Sequence, residues 1–114
     1  ILFIACATCN GLSLIKDIHE LRYKESDRIE AMENGLKKLG IDIVSTENSI
    51  KITGGTFSGG IIDSYGDHRI AMSFLIAGLV SDKPITVLNT SNINTSFPNF
   101  EDILRDQKID VYTV

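Results

Sequence analysis

The chain has 114 residues, of which 43% are hydrophobic, and a formal net charge of −4 at pH 7. This length suits one domain or part of one, and the apolar residues fall in patterned blocks that can build a core. The acidic balance argues against a general nucleic-acid binder, and no apolar stretch reaches the roughly 20 residues that cross a membrane.

The opening segment, Ile1 to Thr8, is apolar and helix-like, and it lacks the basic region and cleavage site of a signal peptide. Because it does not begin with Met, we expect more chain before it. Its cysteines, Cys6 and Cys9, have neither a second ligand pair nor a thioredoxin-like context. We therefore predict two buried small hydrophobes in a reducing cytoplasm, not a metal or redox site.

The next segments alternate between strand and helix patterns. Leu12 to Ile18 alternates as a strand, and Ser26 is the expected N-cap of a helix that Gly40 ends. Two strands then form a predicted hairpin around a Glu-Asn-Ser turn, and a third short strand follows. These three strands are predicted at Ile41 to Thr46, Ile50 to Thr53 and Ile61 to Ser64.

The second half of the chain repeats this order. Asp67 is the expected cap of a helix over Ile70 to Val80, which is apolar nearly all round and should be buried. A strand at Ile85 to Leu88 and a helix opened by Pro98 follow, and Ile109 to Val114 is predicted to end the chain as a strand. The repeat favours an α/β fold built from similar units.

Two charged clusters stand at predicted helix starts, where unpaired N–H groups and the helix dipole attract anions. They run from Arg22 to Arg28 and from Gly66 to Arg69. An arginine has the wrong sign for such a position unless it shares an anion with the helix end. Pairing with a neighbouring acid, or simple surface exposure, explains the same pattern, and spacing does not decide between these interpretations.

Three segments resemble the signatures of one family, the EPSP synthases (3-phosphoshikimate 1-carboxyvinyltransferases), and occur in that family's order. They are Arg22-Tyr23-Lys24-Glu25-Ser26-Asp27-Arg28-Ile29, Asp63-Ser64-Tyr65-Gly66-Asp67-His68-Arg69-Ile70-Ala71-Met72 and Thr95-Ser96-Phe97-Pro98-Asn99-Phe100. The resemblance runs through the whole chain. A sister enolpyruvyl transferase, which acts on UDP-N-acetylglucosamine, has an Asp-Leu-Arg-Ala type sequence in place of Asp67-His68-Arg69-Ile70 and is a more distant match.

The resemblance implies an α/β fold of repeated βαβαββ units, in two domains that close on substrates at their interface. Residues 1–114 would be the C-terminal part of the C-terminal domain, without the N-terminal domain and without the family's catalytic aspartate, which would lie just before Ile1. An incomplete domain exposes apolar faces, so self-association is also expected.

The family transfers the enolpyruvyl group of phosphoenolpyruvate to the 5-hydroxyl of shikimate 3-phosphate and releases phosphate. By resemblance, Arg28 and Arg69 bind phosphoenolpyruvate, and Lys24 reaches the shared substrate region. Glu25 is the acid/base nearest the methylene carbon, and His68 supports the site. The implied catalytic residues are thus Glu25, Lys24 and His68, and no metal or organic cofactor is implied.

One segment departs from the family pattern, because some relatives carry a phosphoenolpyruvate-binding lysine where this chain has only the uncharged Asn94, Thr95 and Ser96. Three interpretations remain open: part of a complete enzyme that is inactive alone, a non-enzymatic remnant, or a stand-alone anion-binding module. In the first, the two helices after the charged clusters should pack in parallel. The guanidinium groups of Arg28 and Arg69 should then lie within about 10 Å, in reach of one anion.

Overall fold

The computed structural model describes residues 1–113 and shows alternating helices and strands. The elements are α1 (Leu2–Thr8), β1 (Leu12–Lys16), α2 (Arg28–Lys38), β2 (Asp42–Ser45), β3 (Ser49–Thr53), β4 (Gly60–Asp63), α3 (His68–Ala77), β5 (Ile85–Leu88), α4 (Ile93–Ser96) and α5 (Phe100–Asp106). A 3-10 helix (His19–Tyr23) links β1 to α2. This order fits consecutive parts of βαβαββ units. Within residues 1–113, no helix is long and apolar enough to cross a membrane.

The strands form two small sheets. In the first, β3 lies between β1 and β2 and is antiparallel to both, so β2 and β3 make the predicted hairpin. Alternation along the strands buries Ile50 and Ile52 on one face and exposes Leu12, Leu14 and Val44 on the other. In the second sheet β4 and β5 are parallel, and the helix α3 forms the crossover connection that parallel neighbours need.

Helices α2 and α3 lie side by side in the core with the same direction. Their starts meet, because Arg28, the first residue of α2, donates to Asp67, the N-cap of α3. Further along, Gly35 of α2 lies against the buried ring of Phe74 of α3. The predicted parallel packing is therefore confirmed, and it brings both charged clusters to one end of the domain.

The contact between Gly35 and Phe74 leaves no room for a side chain. A methyl group at Gly35 would lie 2.7 Å from Cε2 of Phe74 and closer still to Cζ. Alanine normally stabilises a helix interior by about 1 kcal/mol relative to glycine. We expect Gly35→Ala to lower the free energy of unfolding instead, by about 1–3 kcal/mol, because overpacking dominates.

Chemical denaturation of the protein measures this effect, and Phe74→Leu provides the control. If the clash is the cause, the combined Gly35→Ala and Phe74→Leu variant should lose less stability than the sum of the two single losses. A Gly35→Ala variant more stable than the parent protein would contradict the close packing.

Several sequence-based boundaries were wrong. The cap of α2 is Asp27 and not Ser26, because the Asp27 carboxylate accepts from the backbone N–H of Glu30 at 3.0 Å. The expected burial of both cysteines fails at Cys9, which is exposed just after α1, while Cys6 is partly buried. Helix α3 ends at Ala77, and the exposed residues beyond it include Leu79 and Val80.

The C-terminal region differs most from the prediction. The helix expected after Pro98 begins at Phe100, and the short helix α4 before it was not predicted. Residues 109–113 form no strand, and Val114 lies outside the described residues. A strand requires a neighbouring backbone to pair with, and here the carbonyl of Val111 instead accepts from Nε of Arg105 at 3.1 Å.

Candidate functional site

The three signature segments meet at one open cleft of about 480 Å³. The first segment contributes its loop before α2, the second contributes the turn between β4 and α3, and the third contributes α4. Residues that line the cleft are Glu25, Tyr65, Gly66, His68, Asn92, Thr95 and Ser96. Segments that are far apart in sequence thus form one concave surface, as a binding site requires.

Asp67 joins the starts of the two central helices. One carboxylate oxygen, Oδ2, accepts from Nε of Arg28 at 2.9 Å and from the hydroxyl of Ser26 at 2.8 Å. The other, Oδ1, accepts from the backbone N–H of Arg69 at 3.0 Å and caps α3. Its side chain is fully buried. Asp67 therefore sets the position of α2 relative to α3 at the end of the domain that carries the cleft.

The charge of Asp67 is retained despite its burial. Burial alone would raise the pKa of this carboxyl, but hydrogen bonds from Arg28 and Ser26, the charge of Arg28 and the N–H of Arg69 outweigh it and hold the pKa below its ordinary value. Because the pKa of Asp67 is lower in the folded state than in the unfolded state, its ionised carboxylate stabilises the fold at pH values above the unfolded-state pKa. That contribution is lost as the pH falls through the folded-state pKa of Asp67.

We expect Asp67→Asn to lower the free energy of unfolding at pH 7 by about 1.5–3 kcal/mol, the net value of a charged hydrogen bond. The difference from the parent protein should shrink as the pH falls through the folded-state pKa of Asp67, because the parent carboxyl then also becomes neutral. Denaturation curves at several pH values measure it. Asp102→Asn, which removes an exposed carboxylate paired with Arg105, is the control and should change little. A pH-independent difference would contradict this account.

Arg28 is held in place by two carboxylates. Its Nη2 donates to Glu25 and, at 3.4 Å, to Asp67, while Nε donates to Asp67. Within residues 1–113, Nη1 of Arg28 has no acceptor, but neither Arg28 nor Arg69 is among the residues that line the cleft. The simple ion-pair interpretation of Arg28 is thus correct in part, and it is compatible with ligand binding.

The other predicted site residues, His68, Arg69 and Lys24, lie in different environments. His68 is the first residue of α3 and lines the cleft. Arg69 follows it and is exposed, and its side chain makes no hydrogen bond to the part of the chain that is described. Lys24 does not line the cleft, because its ammonium group pairs with Glu20 on the 3-10 helix at 3.0 Å.

The turn before α3 is shaped by backbone conformation. Tyr65 and Gly66 both have positive φ angles, of 55° and 71°. The carboxylate of Asp63 accepts from the N–H of Tyr65 at 2.8 Å and from the amide of Asn89 at 2.8 Å. The hydrogen bond from Asn89 is the largest reason that the pKa of Asp63 lies below its ordinary value. These contacts connect the second signature to the chain after β5.

Sequence reasoning missed two groups at the site. Asn92 lines the cleft and its amide donates to the carbonyl of Gly66, yet it lies outside the three signatures. Ser26 was interpreted as a helix cap, whereas its hydroxyl binds Asp67 across 41 positions. Only its place within the first signature distinguished Ser26, and no sequence pattern marked Asn92.

Comparisons with known proteins identify the same family as the three signature segments. The family model described as EPSP synthase (3-phosphoshikimate 1-carboxyvinyltransferase) matches residues 1–104. The chain is 50% identical to the 3-phosphoshikimate 1-carboxyvinyltransferase of Methylococcus capsulatus over 96% of its own length and 25% of the relative's. It is 49% identical to that of Legionella pneumophila over 88% and 23% of the two lengths.

Comparison of the fold with solved structures supports the same family. A solved EPSP synthase from Acinetobacter baumannii superposes with a TM-score of 0.89 and 46% identity, over 92% of this chain and 25% of that one. The chain thus spans about a quarter of the length of the relatives it matches. From the family match, the shared fold and the three converging segments, we conclude that this chain belongs to the EPSP synthase (3-phosphoshikimate 1-carboxyvinyltransferase) family.

Proposed function

We propose that this chain works as the C-terminal part of the C-terminal domain of a complete enzyme. That enzyme would transfer the enolpyruvyl group of phosphoenolpyruvate to the 5-hydroxyl of shikimate 3-phosphate, giving EPSP and phosphate. The observation that carries the proposal is the single cleft into which all three signature segments place residues. A second domain of the same enzyme would supply the rest of the site, and two free cysteines suit a reducing cytoplasm.

The reaction is an addition followed by an elimination. In the addition, the methylene carbon of phosphoenolpyruvate gains a proton while the 5-hydroxyl loses its own and bonds to the adjacent carbon. In the elimination, the methyl carbon returns a proton and phosphate leaves. Both steps need a group that exchanges protons at the reacting carbon. Glu25 is suited to this role, because it is a carboxylate at the edge of the cleft.

Fixed positive charge is the second requirement, since phosphoenolpyruvate carries a carboxylate and a phosphate. We assign this role to Nη1 of Arg28 and to Arg69, whose helix starts are joined through Asp67. His68 lines the same cleft as Glu25 and would support the site. Lys24 would leave Glu20 and turn to the substrates, because an exposed ion pair is weak.

Arg69 offers a clean test of anion binding, because its side chain makes no hydrogen bond within residues 1–113 and its removal should leave the fold intact. We expect Arg69→Gln in the complete enzyme to weaken phosphoenolpyruvate binding by about 10- to 100-fold, the equivalent of one charged hydrogen bond. Calorimetric titration with shikimate 3-phosphate present measures this.

Arg105→Gln is the matched control, because it removes an arginine from α5, away from the cleft lining. It should bind phosphoenolpyruvate like the parent enzyme. Unchanged affinity in Arg69→Gln would remove Arg69 from the site. A complete enzyme that forms no EPSP from the two substrates would overturn the proposed function and favour a non-enzymatic remnant or an anion-binding module.

A further inference from the structure

Arg22 belongs to the first signature but has no role in the chemistry described above, and it does not line the cleft. Its guanidinium is nevertheless fully engaged. Nε donates to the carbonyl of Glu47 at 2.8 Å, Nη2 to the carbonyl of Thr46 at 2.6 Å, and Nη1 to Asp27 at 2.8 Å. A planar group with three acceptors on three nitrogens is fixed in both position and orientation.

The acceptors of Arg22 are themselves held in place. Thr46 and Glu47 form the turn between β2 and β3, which the sheet orders. The second oxygen of Asp27 accepts from the N–H of Glu30, which makes Asp27 the cap of α2. Arg22 therefore connects the hairpin turn to the start of α2, and its side chain is only 17% exposed.

The bond between Arg22 and Asp27 also closes a short loop, residues 22–27. The residues between them include Lys24 and Glu25, two of the predicted site residues. The side chain of Glu25 forms a hydrogen bond only with Arg28 within the described part of the chain, and it is exposed. The conformation of this loop and the ion pair with Arg28 together hold the Glu25 carboxylate at the cleft.

We infer that Arg22 is a positioning residue for the proposed enolpyruvyl transfer, acting through Asp27 on the loop that carries Glu25. The inference rests on the proposed function. A displacement of about 1 Å of a reacting group can cost about 100-fold in rate. Loss of the Arg22 contacts should thus lower kcat much more than it changes substrate binding at the arginines.

A double-mutant cycle in the complete enzyme separates positioning from stability. We expect Arg22→Met to lower kcat by about 10- to 100-fold, with the KM of each substrate changed by less than about threefold. In a Glu25→Gln background, the same substitution should lower kcat by less than about threefold, since the group it positions no longer transfers protons. Arg105→Met, the control, should leave kcat unchanged.

Amide hydrogen exchange gives a readout that does not depend on activity. We expect residues 23–26 to exchange at least about tenfold faster in Arg22→Met, because the closed loop opens more often. Asp27→Asn is the second variant if Arg22→Met does not fold. Asparagine caps a helix as well as aspartate does, so this variant weakens the bond to Arg22 and keeps the cap.

The possible results distinguish a positioning role of Arg22 from a purely stabilising one. Equal losses of kcat in the parent enzyme and in the Glu25→Gln background would show that Arg22 acts on stability alone and would overturn the inference. Unchanged exchange of residues 23–26 would also overturn it. If the complete parent enzyme forms no EPSP, the proposed function fails. Amide hydrogen exchange would then test the loop closure alone, and faster exchange of residues 23–26 in Arg22→Met would support it.

Discussion

The purified 114-residue chain should form EPSP at a rate at least about 10⁴-fold below that of the complete enzyme, because removing several members of a catalytic group costs orders of magnitude. The cleft is open, and neither Arg28 nor Arg69 is among the residues that line it, so this chain alone offers little fixed positive charge to two substrates that together carry several anionic groups. The chain also spans about a quarter of the length of its relatives, so most of their residues are missing from it.

A sensitive phosphate-release assay with both substrates measures this rate. Contaminating host enzyme is the main source of error, so the chain with Arg69→Gln serves as the control. Activity that is equal in both preparations comes from the contaminant. Turnover by the parent chain that Arg69→Gln abolishes would contradict the prediction, because it would show that this chain alone carries a working site.

In the complete enzyme, Glu25→Gln should lower kcat by about 10²- to 10⁴-fold, which is the usual contribution of a general acid/base. Glutamine keeps the size of the side chain and can still accept a hydrogen bond from Arg28, but it cannot transfer a proton at neutral pH. Since the arginines and the cleft are retained, the KM for phosphoenolpyruvate should change far less than kcat.

Steady-state kinetics over both substrates tests this expectation, and Glu101→Gln provides the control. Glu101 also pairs with an arginine on its own helix, four positions away, and it does not line the cleft. The control should keep full activity. If Glu25→Gln retains more than about a tenth of the parent kcat, proton transfer at the methylene carbon belongs to another residue.

The sequence contained enough local information to predict most elements. Alternating apolar residues marked the β2–β3 hairpin, and helical spacing marked α2 and α3. The charged signatures identified the family and therefore the candidate residues around Glu25 and His68. One error arose where local signals compete, between Ser26 and Asp27, adjacent residues that can both cap a helix. The larger errors lie after β5, where α4 was not predicted and residues 109–113 form no strand.

Tertiary contacts determined the partners of the charged side chains, which local sequence patterns could not predict. The sequence by itself determined most of the helices and strands up to β5, because periodicity and caps act over a few residues. The sequence could not show that Arg28 pairs with Asp67, 39 positions away, or that Arg22 donates hydrogen bonds to the turn after β2. Those partners depend on how α2 packs against α3 and where the sheet places its turns, since a charged side chain bonds to whichever acceptor the folded backbone brings within reach.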